Sequence, residues 1–204
     1  MSFAVKISLG LTTYVHPATP FSPAHAAAAA DVQDWPVVLT ANRVLCVCAC
    51  DFAQGMVDCQ DESPLPDFYS GILFSQLMGQ KVLKVSTDSD TLRAYAHCSA
   101  SGAAGDVTVL LLNLSPTTTR KVTLAGMDAV VQHKEWHLTG PNGTASIEMA
   151  LNGNPLHAHR GASSWTLPSL DGRAVPTGAG DVVELAPSSI AFVAVSVSDA
   201  SVCK

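Results

Sequence analysis

Six cysteines (Cys46, Cys48, Cys50, Cys59, Cys98 and Cys203) and seven histidines are the residues of this sequence best suited to covalent or metal chemistry. An even cysteine count behind a leader-like N-terminus is the pattern of a disulfide-bonded secreted domain. On a strand, Cys46, Cys48 and Cys50 would share one face, where thiolates can hold zinc. Structural zinc motifs space their ligands by two to four residues, however, so core or mispaired thiols are the simpler expectation. Cys98 ends a strand-like run and Cys203 is the penultimate residue. A bridge between them would tie the C-terminal tail to the body of the domain, contributing about 4–5 kcal/mol in the chain-entropy account. The histidines offer two pairs, His133 with His137 and His157 with His159. Strand positions four apart stand roughly 13 Å from each other, too far to share one zinc. The intervening Lys134-Glu135-Trp136 does not make the helical His-Glu-x-x-His motif either. His157 and His159 can face one way, but Asn154-Pro155 and Arg160-Gly161 put turn chemistry around them, where solvated side chains are the rule. The expectation is no metal ion and no cofactor.

No G-x-S-x-G elbow, no Walker loop and no G-x-G-x-x-G opening a helix occurs, so serine-hydrolase, phosphate-cradle and dinucleotide chemistry have no support. Two glycosylation sequons are present, Asn113-Leu114-Ser115 and Asn142-Gly143-Thr144. Pro116 follows the first and the second sits in a turn, so Asn142 is the better acceptor.

The elements that would position these residues follow from composition and patterning. A chain of 204 residues, 48% hydrophobic and 14% charged, is long enough for one full domain with an appendage and too apolar for wholesale disorder. Eleven basic against seventeen acidic residues give a net charge of -6, and Arg120-Lys121 is the sole adjacent basic pair. Binders of nucleic acid or sulfated polyanions need clustered cations, so neither class fits. No run approaches the roughly 20 apolar residues of a membrane span. Residues 1–30 read as a leader, either a degenerate signal peptide with Ala-x-Ala sites before Asp31 or an irregular segment broken by Pro17, Pro20 and Pro23. Residues 31–66 read as an N-terminal strand segment and linker, with a hairpin over 37–50. Residues 67–204 read as a helix followed by a β-domain. The helix falls within 64–79, with Pro66-Asp67 at its start, Asp67 as cap and Gly79 as stop. Strands are expected over 81–85, 92–98, 107–114, 120–124, 130–138, 145–151, 182–185 and 190–197, separated by Gly, Pro, Asn, Asp and Ser turns. Their number and alternation predict a mainly β fold, an antiparallel sandwich with one preceding helix and an irregular N-terminus.

The segments Pro66-Asp67-Phe68-Tyr69-Ser70-Gly71-Ile72-Leu73-Phe74 and Leu77-Met78-Gly79-Gln80-Lys81-Val82-Leu83 resemble the stretch that closes the barrel in plant-type heparanase-like proteins of glycoside hydrolase family 79. In the same order, Arg93-Ala94-Tyr95-Ala96-His97-Cys98, Val109-Leu110-Leu111-Leu112-Asn113-Leu114, Trp136-His137-Leu138-Thr139-Gly140-Pro141-Asn142-Gly143, Leu151-Asn152-Gly153-Asn154, Leu167-Pro168 and Ile190-Ala191-Phe192-Val193 resemble the family's C-terminal sandwich. The likeness runs over roughly residues 55–203. It implies a (β/α)8 barrel followed by a sandwich that takes in a strand from near the N-terminus, to which residues 31–52 are faintly similar. It also implies that this chain lacks nearly all of the barrel, and that Cys98 and Cys203 correspond in position to the sandwich disulfide.

The family activity implied is hydrolysis of O-glycosyl bonds at glucuronides by two carboxyl groups at barrel strand ends. The family's acid/base glutamate follows an asparagine, and this chain has no Asn-Glu dipeptide. Its four glutamates, Glu62, Glu135, Glu148 and Glu184, match no catalytic position, and Gln54 falls where an active-site tyrosine belongs. The expectation is a catalytically inactive relative in the secretory pathway or outside the cell, associated with a glucuronide-containing glycan and peripherally with membrane or cell wall. The alternative is a non-catalytic carbohydrate-binding or protein-interaction module, for which Tyr69, Tyr95, Trp136 and Trp165 are stacking candidates. Trp136 is expected in the core instead, because on a strand it shares a face with Leu138 while Glu135 and His137 point the other way. A third possibility is a fragment whose helix, with its barrel absent, exposes an apolar stripe.

Overall fold

The computed structural model describes residues 2–8, 56–58, 61–100, 105–126, 130–143, 146–162, 164–176, 182–197 and 203. All belong to one unit of the chain, Met1–Thr13 with Ala53–Lys204. The second unit, Tyr14–Phe52, lies outside the described residues, and with it the hairpin expected over 37–50 and the segment 31–52.

Helix α1 (Pro66–Leu77) begins at a proline because the first turn needs no N–H donor. Its cap position is Leu65, which makes no side-chain cap bond. Asp67 is therefore not the cap; it sits inside the first turn, where its charge opposes the positive end of the helix dipole. Nor does Gly79 stop the helix. The chain turns extended at Met78 and runs on as β2 (Met78–Thr87), which contains Gly79. Glycine is needed there because a Cβ would press on the backbone carbonyl of Cys98 and lie 3.2 Å from the carbonyl carbon of Ser99.

The strands that follow are β3 (Leu92–Ser99), β4 (Asp106–Asn113), β5 (Arg120–Ala125), β6 (Val130–Thr139), β7 (Ala150–Leu151), β8 (Asn154–Pro155), β9 (His159–Arg160), β10 (Trp165–Thr166), β11 (Arg173–Val175), β12 (Val182–Leu185) and β13 (Ser189–Val197). Residues Ser2–Ser8, within the stretch read as a leader, form strand β1. The hydrogen-bonded order is β12-β5-β1-β2-β3-β4-β13-β6-β7-β8, with β11 on β6 and a separate β9–β10 pair. Among the described pairs all are antiparallel except β1 with β5. Strand β2 serves two layers. Its first half pairs with β3 and its second half, from Lys84 to Thr87, with β1, and a register shift separates Met78 from Val82.

Between the layers lies the larger core. Leu83, Leu92, Ala96, Val107, Val109, Leu111 and Val193 meet Val122 and Leu124 of β5 and Val183 and Leu185 of β12. A second core lies on the other face of the large layer, where Tyr69 and Leu73 of α1 cover Met78, Trp136, Leu138, Leu151, Leu156 and Phe192. Strand β13 shows the period of two that this requires, with Ala191, Val193 and Val195 in the first core and Phe192 in the second. The apolar stripe of α1 is thus buried on the sandwich itself. Of the strand expected over 145–151 only β7 forms among the described residues. Ser146 Oγ donates to Glu148 O and accepts from Glu148 N–H, a local pattern that competes with a ladder. Asn152 and Gly153, at φ 51° and 83°, then make the two-residue turn into β8.

One packing constraint is sharp enough to test. A Cβ on Gly172 would lie 2.6 Å from Cζ2 of the buried Trp136, whose Nε1–H donates to Leu170 O at 2.9 Å. The Gly172→Ala chain is expected to lose about 1–3 kcal/mol by overpacking. A urea midpoint equal to that of the unsubstituted chain would show that the indole moves aside freely.

Candidate functional site

Strand β6 carries polar groups on a face where its neighbour is apolar. His133, Glu135 and His137 stand in register with Val195, Val193 and Ala191 of β13, all three of which lie in the interlayer core. The polar row therefore continues that core sideways. At this margin a cleft of about 330 Å³ opens, walled by His137, Thr139, Asn152 and Arg173 of the large layer and by Thr119 and Glu184 of the small one.

Glu135 is the hub. Its side chain is 5% exposed. His137 Nε2 is 2.8 Å from Oε2, and Arg173, directly opposite on β11, places Nη2 3.0 Å from the same oxygen. His133 Nε2 is 3.1 Å from Oε1 but off the hydrogen-bond direction, so it has an ion-pair contact and no hydrogen bond. Asn152 locks the backbone of the row. Its Nδ2 donates to Glu135 O at 3.2 Å and its Oδ1 accepts from His137 N–H at 2.9 Å. Burial pushes the Glu135 carboxyl up, but the contacts with His133, His137 and Arg173 and the charge of His137 outweigh it and hold the group far below the usual carboxylate range. A carboxylate held in this way stays ionised at neutral pH and has no proton to donate. It anchors His137 and Arg173 at the cleft instead.

The other candidate residues are dispersed. Cys98 and Cys203 are joined, with Cα atoms 5.4 Å apart. Cys46, Cys48, Cys50 and Cys59 lie outside the described residues. His157 and His159 are exposed. Among the described residues no group of three His, Cys, Asp or Glu is arranged for a metal, and no helix is long and apolar enough to cross a membrane. The two sequons differ sharply. Asn142 is exposed, whereas Asn113 is 1% exposed, and its Nδ2 donates to Thr118 O and Ala186 O at 2.8 and 2.7 Å. Of the four aromatic candidates, Tyr69 and Trp136 are buried in the second core, Tyr95 is 50% exposed, and Trp165 is half-buried with the Arg160 guanidinium 5.8 Å from its ring centre. Glu62 and Glu184 are exposed and pair loosely with Arg160 at 3.9 Å and Lys121 at 3.8 Å.

Glu135 stands midway between His133 and His137, which are too far apart on the strand to share one zinc. A His-x-Glu-x-His run on a strand places all three side chains on one face, a signal present in the sequence. Arg173, 38 positions from Glu135, left no local signal.

By its fold the chain belongs to the class of antiparallel β-sandwich domains with one packed helix. No protein-family model matches it. Among curated proteins it is 33% identical to heparanase-like protein 3 of Arabidopsis thaliana over 167 residues, 68% of this chain and 30% of that one. It is 31% identical to inactive heparanase-2 of Mus musculus over 71% of this chain and 26% of that one, and 33% identical to baicalin-beta-D-glucuronidase of Scutellaria baicalensis over 64% and 24%. The chain is a heparanase-like protein, and it spans about a third of the length of the plant relatives it matches. Among solved structures, an arabinofuranosidase matches at TM-score 0.44 and 15% identity over 65% of this chain and 29% of that one.

Proposed function

We propose that this chain is a non-catalytic member of the heparanase-like glycoside hydrolases, a sandwich that associates with glucuronide-containing glycans without cleaving them. The observation that carries the reading is the state of Glu135. It is the one buried glutamate among the described residues, and it is ionised and engaged by His137 and Arg173, so it has no proton to give as an acid, and no second buried carboxyl stands beside it to form a catalytic pair. Glu62, Glu148 and Glu184 are exposed, with no apolar pocket around them to raise a carboxyl toward the range of a general acid. Tyr95 and Trp165 are the aromatics placed to meet a sugar ring. Passage through the secretory pathway, a glycan on Asn142, and peripheral association with membrane or cell wall belong to the same reading.

The test is a paired assay on the purified chain. A chromogenic glucuronide is expected to show no turnover above buffer. A glucuronide-bearing oligosaccharide is expected to bind saturably, and Tyr95→Ala or Trp165→Ala to weaken that binding about tenfold, or about 1.4 kcal/mol. Turnover by the chain would overturn the reading, and absence of saturable binding would leave the sandwich without this ligand class.

A further inference from the structure

Strand β1 sits in the middle of the sheet, although it is the first described segment of the chain. Ser2–Ser8 runs parallel to β5, with Phe3 in register with Val122 and Val5 with Leu124. On its other side it is antiparallel to β2, with Val5 in register with Thr87 and Ile7 with Val85. Among the described strands no other joins β5 to β2, so without β1 both would be edges. Val122 and Leu124 lie in the interlayer core and Val85 packs against it. In the sequence, Phe3, Val5 and Ile7 alternate with Ser2, Ala4, Lys6 and Ser8, the period of two of a strand. The slot is therefore built for one extended segment of apolar alternation. That segment is separated from the rest of its sheet by residues 9–55.

From this geometry we infer that β1 is an exchangeable strand and that a second copy of this chain donates its Ser2–Ser8 to the slot between β2 and β5, forming a reciprocally exchanged dimer. The slot is filled equally well in monomer and dimer, because the occupant has the same sequence and the same register. The balance is then set by concentration against the effective concentration of the chain's own strand. Withdrawing β1 breaks ladders on both sides, so the two forms interconvert slowly and exchange is captured on refolding.

The experiment refolds the full chain from urea under oxidising conditions, from micromolar to millimolar, and sizes each sample by light scattering after dilution to one common concentration. Non-reducing gels separate covalent from non-covalent species. The expected result is a non-covalent dimer whose share rises with refolding concentration and survives dilution. A chain lacking residues 2–8 is expected to form no such dimer. Adding a peptide of residues 1–10 to that chain is expected to give saturable one-to-one binding as a monomer. A monomer at every refolding concentration would overturn the inference. So would an equal dimer yield from the chain lacking residues 2–8, or failure of that chain to take up the peptide.

Discussion

Cys203→Ser is expected to lower the unfolding free energy by about 4–5 kcal/mol, because the bond it removes closes a sequence separation of 105 residues. In the chain-entropy account, the cross-link acts by restricting the unfolded ensemble, and the restriction grows with the logarithm of the loop. Domains of this size are typically stable by about 5–15 kcal/mol, so the loss takes a large share of the total. Replacing Cys203 rather than Cys98 isolates the cross-link. Cys98 is 8% exposed in the interlayer core and keeps filling its place there, whereas Cys203 packs only partly against that core. The measurement is urea unfolding followed by circular dichroism for the unsubstituted and Cys203→Ser chains, with Cys98→Ser as a third arm that adds loss of packing. Coincident midpoints for the first two would show that the bond contributes nothing to stability.

Glu135→Ala should cost about 1–3 kcal/mol, since it removes the buried acceptor that His137 and Arg173 share, while Arg173, itself largely exposed, stays solvated. Glu135→Gln keeps the volume and removes the charge, so it separates packing from electrostatics. A pH signature accompanies it. The Glu135 carboxyl is depressed from its ordinary 4.5 in the folded chain, so its contribution to stability is fully present above that value and is lost as pH falls below it toward the folded value. Unfolding free energies measured between pH 7 and pH 3 should therefore fall more steeply for the unsubstituted chain than for Glu135→Gln. Parallel curves would mean that the cluster does not stabilise the folded state through this charge.

Much of the sandwich was legible because strand patterning is local. Leu92, Ala96 and Cys98 alternate with the exposed Arg93 and Tyr95 along β3, and the buried Trp136 shares a core with Leu138 on β6, as period two dictates. Helix α1 was placed correctly in its body and at its Pro66 start, but not in its cap or its stop. Pro66 starts it where Asp67 was expected to cap, and the chain enters β2 before reaching Gly79. The need for glycine at Gly79 is a tertiary matter, set by the Cys98 carbonyl on the next strand. The sequons illustrate the same divide. Local sequence already favoured Asn142, but the enclosure of Asn113 by carbonyls of residues 118 and 186 is made by the folded chain alone.

By itself, the sequence determined the secondary-structure class, the places of β2 to β6, β12 and β13 along the chain, the absence of the Asn-Glu site and, through its resemblance, the heparanase-like family. These depend on neighbours within a few residues or on serial order, both of which are written directly in a linear chain. Tertiary structure alone decided that Glu135 would meet Arg173, that β2 would serve two layers, and that Ser2–Ser8 would stand between β2 and β5. Each is a pairing between distant segments, chosen because it buries apolar surface and satisfies backbone and charged groups together, and no local pattern encodes that joint condition.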